Sequence, residues 1–343
     1  MQIFYSDTHR GHFPKYELFN GELVTPFECP ERIDVVTKHI KEVKFGELVP
    51  AGDYGTAPLL RVHAHRYVEY LQTAWQQWAA LGRTHDILPF VFPRHGLRAE
   101  EPEHIDGKVG FFAFDTGAPI CAQTWAAVQG SANCVMSAQK HMSAGARTAF
   151  ALCRPPGHHA GSSFSGGYCY VNNAAVATQA FLDDGASRVA ILDVDYHHGN
   201  GTQEIFYNRS DVLFTSIHAN PSREFPYFLG YEDERGAGDG IGYNINYPLP
   251  DYATYELWGA ALKDAIGKIR DFSPDVVIVS LGVDTYEHDP ISRFRLKSAD
   301  FLKIGQEIAG LKLPTFFVLE GGYSVEAFGF NIVSVLRGFS EEV

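Results

Sequence analysis

Four polar segments of this 343-residue sequence carry the residue types that could do chemistry. In one of them, Asp195 and His197 are two residues apart, so in extended chain a carboxylate and an imidazole point to the same side and can bind one metal ion. Asp284, in a second segment, could supply a third ligand. Two carboxylates and one imidazole suit Zn²⁺, and three protein ligands leave a position open for water or substrate. The pattern predicts a catalytic metal centre. The alternative, aspartates that only cap turns, fits an isolated Asp-x-His better than this set of segments.

A third segment contains two adjacent histidines, His158 and His159, after the rigid sequence RPPG. Imidazoles beside a metal are suited to proton transfer because they titrate near neutrality. Each would need a partner on its other ring nitrogen, and Asp193 and Asn200 are the candidates. The alternative is that both histidines lie in a loop and have no chemical role. That is typical of an isolated His-His sequence, but not of RPPGHH at the end of a strand.

Two Gly-Gly-Tyr sequences add aromatic groups to the set. Glycines before Tyr323 allow unusual backbone angles, so its hydroxyl could reach the predicted metal centre and donate to a developing oxyanion. Gly167 allows a close approach of backbone to ligand, and Tyr168 with Phe225 could enclose a slender aliphatic chain. Any single aromatic residue is more simply a packing residue, since the sequence contains 17 tyrosines and 25 phenylalanines.

Short apolar runs must position these segments. Each run is almost continuously apolar, as strands covered on both faces are, and helical patterns lie between the runs. The sequence therefore predicts an α/β fold with a central parallel sheet flanked by helices on both faces. Because parallel sheets bind ligands beyond the carboxyl ends of their strands, we expect the polar segments to meet in one crevice. The predicted strands are 147–153, 188–193, 211–217, 275–281 and 314–319, and the predicted helices are 173–184, 255–270 and 299–309.

The remaining features limit the class of protein. The proline-rich segment 83–123 shows no clear periodicity and is typical of a functional or disordered loop, and without a convincing linker we predict one domain over residues 1–343. A formal charge of −13 argues against nucleic acid as a partner. The absence of a secretory signal, of an apolar run near the roughly 20 residues of a membrane span, and of paired cysteine spacings predicts a cytoplasmic protein that binds no membrane.

Five motifs together carry a family resemblance: RPPGHHAG, GGYCYVNNAAVA, ILDVDYHHGNGT, SLGVDTYEHDP and EGGY. Their order and spacing, from about residue 2 to 338, resemble the histone deacetylase family. KYELFNGELVTPFE and the segment 83–123 look more like the bacterial acetylpolyamine amidohydrolases of that family. The resemblance implies the arginase–deacetylase fold and a zinc-dependent amidohydrolase that converts acetylated polyamines or diamines to acetate and free amine. The alternatives are an acetyl-lysine protein or peptide deacetylase, an arginase-like manganese hydrolase, and a non-catalytic acetylamine-binding protein.

The resemblance also implies roles for individual residues. His159 falls on the general base and acid, His158 on the neighbouring electrostatic histidine, and Tyr323 on the tyrosine that stabilises the transition state. The carbonyl of Gly167 falls on the acceptor of the substrate amide N–H. The other implied residues are the ligands of one Zn²⁺ per subunit (Asp195, His197, Asp284), the ligands of a structural K⁺ (Asp193, Ser216 and Ile217, with the backbone of Asp195 and His197), the aromatic walls Tyr168 and Phe225, and the histidine partners Asp193 and Asn200.

Substrate selection and assembly follow from the same resemblance. Glu17 matches one acidic residue at the tunnel mouth of the polyamine enzymes, Asp106 occupies a second as a shorter carboxylate, and Gly117 stands at a third, with Asp115 nearby. Asn200 stands where many deacetylases have Asp, which should leave His159 less basic. The insertion 83–123 is expected to form a homodimer interface and to narrow the tunnel for a small cationic acetylated amine.

Overall fold

Parallel strands form the central sheet. The computed structural model describes residues 1–94, 96 and 98–342. In chain order its strands are β1 (Gln2–Tyr5), β2 (Glu17–Phe19), β3 (Glu22–Val24), β4 (Glu47–Pro50), β5 (Thr148–Ala151), β6 (Val189–Asp193), β7 (Val212–Ala219), β8 (Asn244–Leu249), β9 (Val276–Leu281) and β10 (Thr315–Leu319). Eight of them make one sheet in the order β4-β1-β5-β10-β9-β6-β7-β8, and β2 and β3 pair as a separate antiparallel hairpin.

Helices cover the sheet. Every residue of β6, β9 and β10 is buried, which requires packing against both faces of the sheet. The helices are α1 (Glu31–Glu42), α2 (His65–Ala80), α3 (Ile105–Phe111), α4 (Thr124–Ser143), α5 (Asn173–Asp183), α6 (Asn200–Phe206), α7 (Tyr255–Phe272), α8 (Ser298–Ala309) and α9 (Val325–Glu341). In the described part of the chain, none of these helices combines the length and apolarity needed to cross a membrane.

The strand order explains how distant segments meet. β5, β10, β9 and β6 are neighbours in the sheet and run parallel. The segments that follow them carry His159, Tyr323, Asp284 and Asp195, respectively. Because all four strands end at the same edge, the predicted convergence of the polar segments on one crevice is confirmed.

The predicted fold class and the predicted strands and helices are confirmed, with ends that differ by at most two residues. Five strands were not predicted. β2 and β3 form the separate hairpin, and β1, β4 and β8 lie toward the edges of the sheet, where polar residues such as Glu47 and Asn244 interrupt the apolar pattern. The expectation of no regular structure in 83–123 is wrong for α3, whose seven residues are too few for a clear period.

Candidate active site

Asp195, His197 and Asp284 form a buried cluster that could hold a metal ion. One ligand atom from each residue lies within 4.8 Å of the others. His197 Nδ1 lies 3.1 Å from Asp284 Oδ2 and 3.5 Å from Asp195 Oδ1. Backbone N–H groups hold the carboxylates, since Tyr196 donates to Asp284 Oδ1 at 2.8 Å and Gly321 donates to Asp195 Oδ2 at 2.8 Å. The positions of both carboxylates are therefore set by the backbone of the strand-end segments.

The electrostatics of this cluster favour a cation. Burial, followed by the charge of Asp195, raises the pKa of Asp284 to about 7. Burial lowers the pKa of His197, but the two carboxylates outweigh it and raise the value to about 10. Once His197 gives up its proton, as a metal ligand must, the two buried carboxylates carry a negative charge that a divalent ion would neutralise. The donor set of two oxygens and one nitrogen fits Zn²⁺, and it is also acceptable to Fe²⁺ or Co²⁺.

His158 and His159 are buried side by side next to this cluster, with ring centres 4.0 Å apart. His158 Nδ1 lies 3.0 Å from Asp193 Oδ2, and His159 Nδ1 lies 2.7 Å from Asn200 Oδ1. The structure thus brings together both partner pairs that the sequence suggested. Burial lowers the pKa of His159 well below its usual value, and the neighbouring His158 and His197 lower it further. His159 is accordingly a neutral imidazole that donates from Nδ1 and keeps Nε2 free to accept a proton.

Tyr323 lies on the turn between β10 and α9 and lines a cavity that His159 and His197 also line. The buried Arg32 holds this turn, donating from Nε to the carbonyl of Gly322 at 2.7 Å and from Nη2 to the carbonyl of Glu320 at 2.5 Å. Its guanidinium carbon also lies 4.9 Å from the centre of the Tyr323 ring. Burial raises the pKa of Tyr323 well above its usual value, so the phenol stays protonated and available as a donor.

A cavity of about 510 Å³ opens above these residues. We define the floor of the site as Asp195, His197, Asp284, His159 and Tyr323. The rim comprises Glu17, residues 115–117, Glu224 and residues 290–293, all of which line the cavity.

Aromatic rings stand between floor and rim. The ring of Phe225 lies 5.0 Å from that of His159 and 5.9 Å from that of His197, and the ring of Tyr168 lies 5.4 Å from that of Tyr323. Both rings line the cavity. The structure therefore places Tyr168 and Phe225 at the walls that lead down to the floor.

Gly167 lies where a side chain would collide with the floor. Its φ is +50°, and an added Cβ would come within 2.4 Å of His159 Cδ2. Its N–H donates to Asp115 Oδ2 at 3.0 Å, while the N–H of Gly117 donates to Asp115 Oδ1 at 2.9 Å. Burial raises the pKa of Asp115 to about 6. Asp115, from the insertion, thus positions the glycine segment, a role that sequence reasoning did not give it.

Two carboxylates were expected at the mouth, and they lie in different places. Glu17 lines the cavity, and its Oε1 accepts the Tyr168 hydroxyl at 3.1 Å. Asp106 lies in α3, where it forms an ion pair with Arg83, and it is not among the described residues that line the cavity of its own chain. The expectation that Asp106 faces the substrate is therefore not met within one chain, because its helix directs the carboxylate to Arg83. Glu224, by contrast, lines the cavity and was not anticipated.

The residues expected at a potassium site lie on adjacent strands. Asp193 and Ser216 are register partners on β6 and β7, and Ile217 follows Ser216. Asp193 Oδ1 accepts the N–H of Asp195 at 3.2 Å, and Ser216 Oγ lies 2.8 Å from His218 Nδ1. The expected ligands are thus buried, and Asp193 is hydrogen-bonded to the metal-ligand segment.

Buried charges that stabilise the site were missed by the sequence reasoning. Glu28 Oε1 accepts from Arg32 at 3.0 Å and from Arg154 at 2.8 Å, and all three side chains are buried. Glu320 Oε2 accepts the N–H groups of Gly157 and His158 at 2.7 and 3.1 Å. The sequence signal for these residues was a charged side chain within a motif that is otherwise apolar or glycine-rich. Such a side chain is expected to be buried, and buried charges are almost always paired.

This fold and site define a class of protein. Residues 26–339 match the histone deacetylase domain family, and the chain belongs to that family. Its site groups a candidate metal cluster, a histidine pair and a tyrosine in one cavity.

Within the family, the chain is similar to proteins named acetylpolyamine amidohydrolase. The chain is 55% identical over 339 residues to acetylpolyamine amidohydrolase 2 of Pseudomonas aeruginosa, covering 99% of this chain and 98% of that protein. It is 56% identical to acetylpolyamine amidohydrolase 1 of the same organism, covering 98% of this chain and 97% of that protein. A solved structure of acetylpolyamine aminohydrolase from Burkholderia pseudomallei is similar with a TM-score of 0.94 and 36% identity, covering 99% of this chain and 98% of that one.

Proposed function

We propose that this enzyme hydrolyses the acetyl amide of acetylated polyamines or diamines, giving acetate and a free amine. The observation that carries the proposal is the floor, where three candidate metal ligands, a neutral histidine and a protonated tyrosine lie together at one cavity. The names of the similar proteins, which share more than half of their residues with this chain, support the polyamine substrate.

Asp195, His197 and Asp284 would hold one Zn²⁺. When bound, Zn²⁺ supplies Lewis-acid polarisation of the acetyl carbonyl and lowers the pKa of water. The fit rests on the oxygen-rich donor set and on the burial of its two carboxylates. Metal analysis of the purified protein, followed by chelation and restoration with Zn²⁺, tests this assignment; full turnover after complete metal removal would contradict it.

His159 carries the proton in both halves of the reaction. Its Nε2 accepts a proton from the water that attacks the acetyl carbon, and Asn200 holds the ring through Nδ1. The resulting imidazolium then protonates the amine nitrogen as the C–N bond breaks. His158, paired with Asp193, lies beside it and contributes charge rather than proton transfer in this scheme.

Tyr323 and Gly167 hold the reacting amide in place. The Tyr323 hydroxyl donates to the oxyanion that forms from the acetyl carbonyl. The carbonyl of Gly167 would accept the amide N–H of the substrate. Tyr168 and Phe225 enclose the aliphatic chain, and Glu17 provides negative charge toward the cationic end of the amine. A slender, positively charged substrate suits this combination.

We also propose a structural K⁺ and a homodimer. The oxygens of Asp193, Ser216 and Ile217, with the backbone of Asp195 and His197, would hold the K⁺. If K⁺ binds, the melting temperature should rise more with K⁺ than with Li⁺, and equal effects would contradict it.

The dimer would form through the insertion 83–123. The exposed side chains of Phe90 and Val91, 77% and 50% accessible, support this interface. Light scattering should give twice the chain mass for the native protein and the chain mass for Phe90→Asp. A monomeric native protein would contradict the interface.

The free state of all five cysteines fits a reducing compartment such as the cytoplasm.

A comparison of kcat/KM values tests the proposed substrate. The zinc-loaded protein would be given N-acetylputrescine, N-acetylcadaverine, acetylspermidines and an acetyl-lysine peptide. We expect a strong preference for the small amines. A preference for the peptide would instead make the protein a peptide or protein deacetylase with the same chemistry.

A further inference from the structure

Asp289 lies behind the cavity, and none of the steps above uses it. Its side chain is buried, and its two oxygens accept from two different segments. Oδ2 accepts the N–H of Tyr323 at 2.7 Å and that of Ser324 at 3.3 Å, while Oδ1 accepts the N–H of Ile291 at 3.1 Å. One carboxylate thus ties the turn of the floor tyrosine to residues 290–293 of the rim.

The turn that carries Tyr323 depends on acceptors from outside. Gly322 has a φ of +124°, which other residues rarely adopt, and Ser324 at the start of α9 makes no side-chain cap. The N–H groups at this point would be unsatisfied without Asp289, which lies 34 residues earlier in the chain. Arg32 holds the carbonyls of the same turn from the other direction. The turn that carries Tyr323 is therefore held by a donor, Arg32, and by an acceptor, Asp289.

We infer that Asp289 is a positioning residue for Tyr323: by holding the backbone N–H of the tyrosine, its carboxylate sets where the phenol hydroxyl lies relative to the reacting acetyl group. The inference rests on the proposed function, because it concerns the same reaction. Asp289 itself does not touch the substrate. A shift of the hydroxyl by about 1 Å is enough to lower a rate roughly 10²-fold, so a small movement of the turn has a measurable effect.

The chemistry of the carboxylate makes Asp289→Asn an informative variant. Three N–H donors share two carboxylate oxygens, and asparagine has the same shape but one acceptor. The amide NH₂ must then face the N–H of Ile291 or the N–H groups of Tyr323 and Ser324, so one of the two segments loses its acceptor. The backbone fold can persist while the link between the turn and the rim is broken.

A matched control is available in Asp300. It is another buried carboxylate near a helix start, where it accepts the N–H of Lys297 at 2.9 Å and the ammonium of Lys303 at 2.8 Å. It lies on α8 and does not line the cavity. Asp300→Asn therefore reproduces the chemical change without touching the turn.

The kinetic test compares these variants on N-acetylputrescine. We expect Asp289→Asn to lower kcat about 10- to 100-fold with a smaller change in KM, and Asp300→Asn to leave kcat unchanged. In the Tyr323→Phe background the effect of Asp289→Asn should disappear, because no hydroxyl remains to be positioned. A full-sized loss that persists without the hydroxyl would show a merely structural role and overturn the inference, as would an unchanged kcat.

Hydrogen–deuterium exchange gives a readout that needs no turnover. The amides of Tyr323 and Ser324 should exchange faster in Asp289→Asn than in the native protein, and at the native rate in Asp300→Asn. Unchanged exchange overturns the inference. An inactive native protein that still shows this difference would refute the proposed function while leaving the backbone anchor in place.

Discussion

At the floor of the cavity, the functional side chains follow the ends of adjacent central strands, and backbone N–H groups hold the carboxylates of Asp195 and Asp284. At the rim, the lining residues come from the hairpin β2–β3, from the insertion 83–123 and from the segments around Glu224 and 290–293. The sheet edge determines the geometry of the floor, whereas separate loops determine the geometry of the rim.

The floor and the rim also differ in the burial and pairing of their charged side chains. The floor contains buried charges that pair with one another, so the removal of one leaves its partner unpaired, which is costly. At the rim, Arg293 is half-exposed and is paired with Asp251 at 3.2 Å. We infer that substitutions in the floor abolish chemistry, while substitutions in the rim redirect substrate preference.

Removal of a metal ligand should have the largest effect. His197→Ala should abolish tight zinc binding and lower kcat/KM at least about 10³-fold, because a Lewis acid contributes several kcal/mol to the transition state. Metal content measured by mass spectrometry, together with turnover, checks the prediction. His39→Ala, on α1, is the control and should keep both. An active variant with full metal content would refute the ligand assignment.

Loss of the tyrosine hydroxyl should rank second. Tyr323→Phe should lower kcat about 10²–10³-fold with little change in KM, since an oxyanion donor acts in the transition state. Steady-state kinetics measures it, with Tyr255→Phe on α7 as the control. Near-native turnover in Tyr323→Phe would exclude the proposed role.

A change of the His159 partner should alter the pH profile rather than abolish activity. Burial holds the pKa of His159 low, and the base must be neutral to accept a proton. Asn200→Asp adds a negative charge that favours the imidazolium, so the acidic limb of kcat/KM should move to higher pH by about one to three units. Asn133→Asp, on α4, should leave the profile unchanged. A limb that stays in place would indicate that another group controls it.

The smallest effect should come from the rim. Burial raises the pKa of Glu17 to about 7, so its carboxylate is mostly protonated at pH 6 and mostly ionised at pH 8. The preference for N-acetylputrescine over neutral N-butylacetamide should therefore rise with pH, by about fivefold or ~1 kcal/mol. In Glu17→Gln this rise should vanish, while Glu22→Gln on the same hairpin should keep it. A pH-independent native preference would remove Glu17 from substrate selection.

The floor was largely predictable because its signals are local. A continuous apolar run followed by a polar, glycine-containing segment identifies a buried parallel strand and its ligand-binding end. Asp195, His197, Asp284 and His159 could be singled out from such segments, and the structure brings them together.

Other features needed the tertiary structure. Arg32 and Asp289 reach the Tyr323 turn across 290 and 34 residues of sequence, and no local pattern reveals such contacts. Nor could the sequence show that Asp106 faces Arg83 instead of the cavity.

The amino-acid sequence alone determined the central strands β5, β6, β7, β9 and β10, the polar segments at their ends and the chemical character of the floor, because each depends on residue order within a few positions. Only the tertiary structure decided the partners of the buried charges and the composition of the rim. Those depend on which distant loops meet in space, where burial removes water and makes each polar group require a specific partner.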